Sequence, residues 1–377
     1  MKRMMVWMML FATLLNGCAP VLNSMGEYPT VSDIFDPTTS LPTTQVDTIP
    51  NSGAMDDPFP GLPNPIGGAG HGLLVAEEKD EAGRKCYLYE GGEACISYWI
   101  EGSGVFVEHG VGFLLFVDGM PQAYRTSEDG EYSYMHCYKK EDYSSLGIGD
   151  MRLDVNFMFE PVAGKKGDYI ECHIVRLYYP DYSMEVLGDR GLRLYTLVLG
   201  SASRSFVLKY MADPPENEPL PVQDRLYDLE INMIDTTREE INGWSNDDML
   251  KNIRTKCYVN GLDSSRKNIL WDVTKDDVIT VQFEVYGSPL VHYGLVWFMD
   301  NKPVSVEKGD IITFGVEGGK KTVVTSKLDI SDFDGESHLY CVLVPRNRRE
   351  FGSEEGLMFT TQALSYFFLV DDSSLNG

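Results

Sequence analysis

The chain has 377 residues, 43% of them apolar and 24% charged, a globular composition long enough for two cores of ordinary size. Its 57 Asp and Glu outnumber 32 Lys and Arg, for a formal charge of −25. A surface this acidic repels phosphate backbones and anionic headgroups, which argues against nucleic acid as a partner and leaves any membrane attachment to something other than a basic patch.

The first informative stretch is the N-terminus. Lys2 and Arg3 precede an uncharged, mostly apolar run from Met4 to Leu15, about the length of a signal h-region and short for a bilayer span. Leu15, Asn16, Gly17 and Cys18 follow, an apolar residue three before a cysteine and a small one directly before it. This order resembles the lipobox of bacterial lipoproteins, with Asn16 a less usual occupant of its position. The resemblance implies that residues 1–17 are a signal peptide, that Cys18 becomes the mature N-terminus, and that lipid on Cys18 holds the protein on the extracytoplasmic face of a cell membrane. An ordinary secretory leader with an incidental cysteine is the competing reading.

Residues 18–70 read as a Pro/Thr-rich tether. Nine prolines fall between Ala19 and Gly70, with many Thr, Ser and Asp and no Lys or Arg. Repeated proline interrupts helices and ladders, and little here could form a core, so a disordered linker is expected.

The remainder repeats itself. Gly112 to Pro121 (GFLLFVDGMP) matches Gly294 to Pro303 (GLVWFMDNKP) in apolar pattern and in the turn residues Asp118 and Asp300. Upstream, ACISYWIEG from Ala94 answers ITVQFEVYG from Ile279; downstream, GDYIECHIV from Gly167 answers GESHLYCVL from Gly335, and Ser205 to Lys209 answers Tyr366 to Val370. The segments are rich in Val, Ile, Leu, Phe and Tyr and broken by Gly, Pro, Asp or Asn, the pattern of antiparallel strands and hairpins. Asp118-Gly119 and Asp300-Asn301 suit turns with positive φ. Between Asp235 and Arg254 a short helix or ordered loop is expected. The proline-rich joint PPENEPLP, from Pro214 to Pro221, marks a boundary between domains at 71–215 and 222–374, each expected to have an independent core.

The run ITVQFEVYGSPLVHYGLVWFMDNKPV looks like strands B and C of an immunoglobulin-like domain, and KLDISDFDGESHLYCVLV, from Lys327, looks like strands E and F. Tyr98 and Phe283 stand where that family often carries its strand B cysteine. The resemblance implies an all-β protein of two tandem immunoglobulin-like antiparallel sandwiches.

Six cysteines follow Cys18. The repeat sets Cys86 (RKCY) against Cys257 (TKCY) and Cys172 against Cys341, which makes Cys257–Cys341 and Cys86–Cys172 the disulfide candidates and leaves Cys95 and Cys137. Six buried thiols acting as small hydrophobes is the alternative. No catalytic motif is visible: the histidines are scattered, and nucleophile-elbow, phosphate-loop and CxxC patterns are missing. Asp329 to Glu336 reads as an acidic turn rather than a calcium loop, because Ile330 stands where a first carboxylate would be. No metal or cofactor is therefore expected. Tyr179 and Tyr182, flanking Pro180, are candidates for partner contact. The expectation is a non-catalytic, lipid-anchored display module that engages a protein or glycan; the alternative is an extracytoplasmic hydrolase whose site is assembled from distant residues.

Overall fold

The structure, a computed structural model, describes residues 70–74, 78–79, 85–102, 110–147, 150–178, 203–215, 222–237, 253–263, 269–306, 311–347 and 363–371. All of them belong to one compact unit running from Gly61 to Gly377. Cys18, the tether before Gly70, Tyr179, Tyr182 and most of the stretch expected as a helix or loop (238–252) lie outside the described residues.

The first sandwich contains β1 (Gly70–Leu73), β2 (Glu78–Lys79), β3 (Lys85–Tyr89), β4 (Ala94–Gly102), β5 (Val111–Val117), β6 (Met120–Gln122), β7 (Met135–Tyr138), β8 (Ser144–Gly147), β9 (Asp150–Phe159), β10 (Tyr169–Tyr178) and β11 (Ser203–Tyr210). One sheet runs β1-β4-β9-β8 and the other β2-β3-β11-β10-β5-β6, with β7 also on β5. The β3–β11 pair is parallel. In immunoglobulin lettering these are A-B-E-D and A′-G-F-C-C′, with the first strand divided between the sheets.

The second sandwich contains β12 (Gln223–Asp235), β13 (Ile253–Val259), β14 (Leu262–Asp263), β15 (Ile269–Leu270), β16 (Ile279–Gly287), β17 (His292–Met299), β18 (Lys302–Val306), β19 (Ile312–Gly315), β20 (Lys320–Leu328), β21 (Glu336–Pro345) and β22 (Ala363–Val370). Its ladder is continuous: β14-β13-β16-β20-β12-β18-β17-β21-β22-β15. The A-B-E side (β13, β16, β20) and the A′-G-F-C-C′ side (β15, β22, β21, β17, β18) are those of the first sandwich. They are joined by β12, which pairs antiparallel with β20 and parallel with β18. The chain is therefore all-β, two tandem immunoglobulin-like sandwiches.

At β5 and β17 the repeat superposes residue on residue in the ladders, whereas the runs from Gly167 and Gly335 match with a slip of one, Cys172 being equivalent to Leu339. Leu115 pairs with Ile174 and with Gln122, and Trp297 pairs with Cys341 and with Val304, so Leu115 and Trp297 hold the same place. They sit in separate cores, Leu115 with Tyr98, Phe113 and Phe157 and Trp297 with Phe283, Leu343 and Phe367. Both hairpin turns take the expected conformation, with φ of 50° and 75° at Asp118 and Gly119 and 49° and 64° at Asp300 and Asn301. Two successive positive φ values give the turn the twist of its flanking strands, and Asn, Asp and Gly tolerate them.

Strands β4 and β16 alternate buried and less buried residues over their first halves, as strands with one solvated face should. By contrast β5 is buried at all seven positions and β17 at all but His292. The reason lies on their outer faces. Phe113, Leu115 and Val117 fill the first core while Leu114 and Phe116 face outward into a third apolar cluster, shared with Val296 and Phe298 of β17. That cluster also takes Val175 and Leu177 from β10, Tyr340, Val342 and Val344 from β21, and Phe368 and Val370 from β22. The sandwiches thus keep separate cores and pack on each other through the outer faces of their C-F-G sheets.

Candidate functional site

The joint between the sandwiches is the most elaborate local arrangement. At its centre Phe116 meets Phe298 edge-on at 6.2 Å, and Phe298 stacks on Tyr340 at 5.0 Å with an interplanar angle of 6°. Geometries of this kind contribute beyond area burial, by about 0.5–1.5 kcal/mol per pair. At the rim Arg346 donates through Nη2 to Asp118 Oδ2 at 2.7 Å and through Nε to the Asp118 carbonyl at 2.9 Å. Gly119 is required beside that contact, because a Cβ there would lie 2.7 Å from Arg346 Cγ. A Cβ on Gly294 would likewise stand 3.1 Å from the Gly119 carbonyl oxygen, so a glycine from each sandwich permits the approach. These contacts hold the sandwiches together and expose no reactive group.

The thiols divide. Cys257 and Cys341, both fully buried, bring their Sγ atoms to 3.6 Å between the two sides of the second sandwich. Cys86 and Cys172 are not brought together, and the repeat that paired them breaks at both partners. Cys86 lies on β3, whose counterpart is β15, whereas Cys257 lies on β13, whose counterpart is β1; the registers set Cys86 against Ile269 and Cys257 against Leu73. Cys172 pairs with Val117 and Leu339 with Met299, so Leu339 is its counterpart and Ile174 matches Cys341. Moreover β11 separates β3 from β10, two strand spacings or about 9–10 Å, beyond the roughly 7 Å a disulfide tolerates. Tyr87 and Leu208 share a face with Phe206 and Cys172, so Cys86 points to the other side. Cys95 and Cys137 are exposed.

Other polar groups serve local structure. Arg125 grips the Glu93 carboxylate with Nε and Nη2, at 2.7 and 2.8 Å, and the Tyr132 hydroxyl donates to the same group. Arg125 foremost holds the Glu93 carboxyl below its usual range. Burial, then Glu93, pushes the Tyr132 hydroxyl up to about 12. Burial, followed by Arg176 and Arg204, pushes the His71 imidazole down to about 4, which leaves it neutral at pH 7. The acidic turn after β20 is tied to β12 by an ion pair between Asp332 and Arg225. Among the first-sandwich tyrosines, Tyr134 and Tyr143 are buried and Tyr132 is 38% exposed. Among the described residues no group of three or more His, Cys, Asp or Glu is placed to hold a metal, and no helix is long and apolar enough to cross a membrane.

No family model matches the chain, and no curated protein does. Among solved structures, the C-terminal domain of the Streptococcus agalactiae AgI/II polypeptide BspA aligns at 9% identity and a TM-score of 0.18, over 80% of this chain and all of that one. A chimeric titin Z1Z2 tandem aligns at 11% identity and a TM-score of 0.16, over 75% of this chain and 92% of that one. Superposition this weak bears on neither fold nor function, and the immunoglobulin-like assignment rests on the strand ladders.

Proposed function

We propose that the chain is a lipid-anchored display module: exported, cleaved before Cys18, acylated there, and holding two packed sandwiches outside the membrane to engage a protein or glycan. The observation that carries the anchor is the order Leu15, Asn16, Gly17, Cys18 behind a basic start and an apolar run. A non-catalytic role is supported by the pairs Glu93–Arg125, Asp118–Arg346 and Asp332–Arg225, which brace turns and the joint. The thiol pair Cys257 and Cys341 suits an exported protein, since oxidation there would link the two sides of the second sandwich. Tyr179 and Tyr182 remain the proposed aromatic contacts of the first sandwich.

The anchor is tested by detergent partitioning of the full chain and of Cys18→Ala expressed in a bacterial host. Two acyl chains hold a protein on a membrane where one binds marginally, so the wild type should enter the detergent phase. The variant should persist uncleaved or appear in the aqueous phase. Wild type and variant both in the aqueous phase would remove the lipoprotein reading.

A further inference from the structure

The joint between the sandwiches has an approximate two-fold axis. The ladders make Leu114 the counterpart of Val296, Phe116 of Phe298, Val175 of Val342 and Leu177 of Val344. All of these lie in the one shared cluster, and Met135 and Ile311, at matching places beside Leu114 and Val296, join it as well. The two counterparts at its centre, Phe116 and Phe298, meet each other at 6.2 Å. A residue that touches its own counterpart marks a two-fold axis, so a single chain here builds the arrangement of an isologous dimer interface.

Two departures from that symmetry decide which faces can pair. Asn301 stands in the place of Gly119, where a Cβ lies 2.7 Å from Arg346 Cγ, so the second sandwich cannot pack on another second sandwich without displacing the Arg346 stem. Lys209 stands in the place of Val370, which is buried in the cluster, so two first sandwiches would bring a charge where the joint holds an apolar side chain. Only a first face on a second face is complementary. We propose that a second copy of this chain is a partner for the joint: two copies exchange sandwiches, the first of each packing on the second of the other. Such a dimer completes two joints and leaves no face for a third copy. Within one chain the joint forms at the effective concentration set by the short segment between Asp213 and Gln223, on the order of millimolar, and exchange takes over as the copies approach that range. The inference goes beyond the display reading and does not depend on the anchor.

The test uses the purified full chain in solution, so its outcome is independent of the Cys18 experiment. Phe116→Lys and Phe298→Asp each place an unpaired charge in the shared cluster and leave the residues of both cores unchanged. Sedimentation velocity follows each variant alone and an equimolar mixture of the two, up to about millimolar. In the mixture exchange restores one unaltered joint and sets Lys against Asp in the other, which neither variant can do alone. The mixture should therefore form a dimer with one copy of each variant, at a concentration about tenfold or more below any dimer of either variant by itself. A mixture as monomeric as its components, or polymers longer than dimers, would overturn the proposal. Should thermal melts show either variant unfolded, the wild type carries the test: its mass should rise toward that of a dimer as its concentration approaches about millimolar, and a constant monomer mass over that range would overturn the proposal equally.

Discussion

In the first sandwich strand D is β8, supplied by the eleven residues between Tyr138 and Asp150, and the two sheets stay separate. In the second, only four residues connect Gly315 to Lys320, too few to cross to the other sheet and lay down a strand. The place beside β20 is filled by β12, which precedes strand A in the chain and enters directly from the proline joint. Leu226 reaches the core from there, Asp224 accepts from the Ser305 hydroxyl at 2.6 Å, and Ser326 donates to the Tyr227 carbonyl at 2.7 Å. The edge of strand E must be covered in both sandwiches, because its inward residues, such as Val324 and Leu328, complete the core. Where the covering strand comes from in sequence is free to vary. The consequence is that the second sandwich is bound to the linker by hydrogen bonds as well as by connectivity.

The largest effect that could break this comparison is at the matched core positions. Trp297→Ala should cost about 3–5 kcal/mol and Leu115→Ala about 2–5 kcal/mol. With separate cores alone, each would unfold its own sandwich. The shared cluster predicts instead that denaturation of either variant followed by limited proteolysis shows both sandwiches losing protection together; a protease-resistant first sandwich in Trp297→Ala would show the joint to be weak.

Next come the thiols. Oxidation should join Cys257 to Cys341, and a bridge closing so long a loop should stabilise the second sandwich by roughly 2–4 kcal/mol. Peptide mapping of the air-oxidised protein checks this, and a native Cys86–Cys172 peptide would contradict the strand order of the first sandwich.

A smaller effect sharpens the joint itself. A double-mutant cycle on Phe116→Leu and Phe298→Leu should return a coupling of about 0.5–1.5 kcal/mol in urea midpoints. Additivity would mean that the rings do not touch in solution. The smallest effect is at the rim, where both partners are about one-third exposed: Arg346→Met should cost about 0–1 kcal/mol and less in high salt. A loss independent of salt would shift the weight from the ion pair to the packing of the Arg346 stem on Gly119.

Much of this was open to sequence reading because it is written in local periodicity and turn chemistry. The paired runs around Leu115 and Trp297, the alternating β4 and β16, the Asp-Gly and Asp-Asn turns, and the match of Ser205–Lys209 to Tyr366–Val370 each depend on neighbours in the chain. The pairing of Cys86 with Cys172 failed because motif likeness is not strand identity: RKCY and TKCY are similar words set on different strands. A register slip of two leaves a residue on the same face, so Cys172 and Cys341 looked equivalent while standing two places apart.

The amino-acid sequence by itself determined the leader-like start, the all-β class, the duplication and the turns, since each follows from side-chain chemistry acting over a few residues. Only the tertiary structure decided that β12 stands in for strand D, that Cys257 and Cys341 meet while Cys86 and Cys172 do not, and that β5 and β17 are apolar on both faces because two sheets pack against each other. Those outcomes depend on which distant segments share an edge or a face, and the competition for a place in a sheet is settled by burial and backbone hydrogen bonding across the whole molecule.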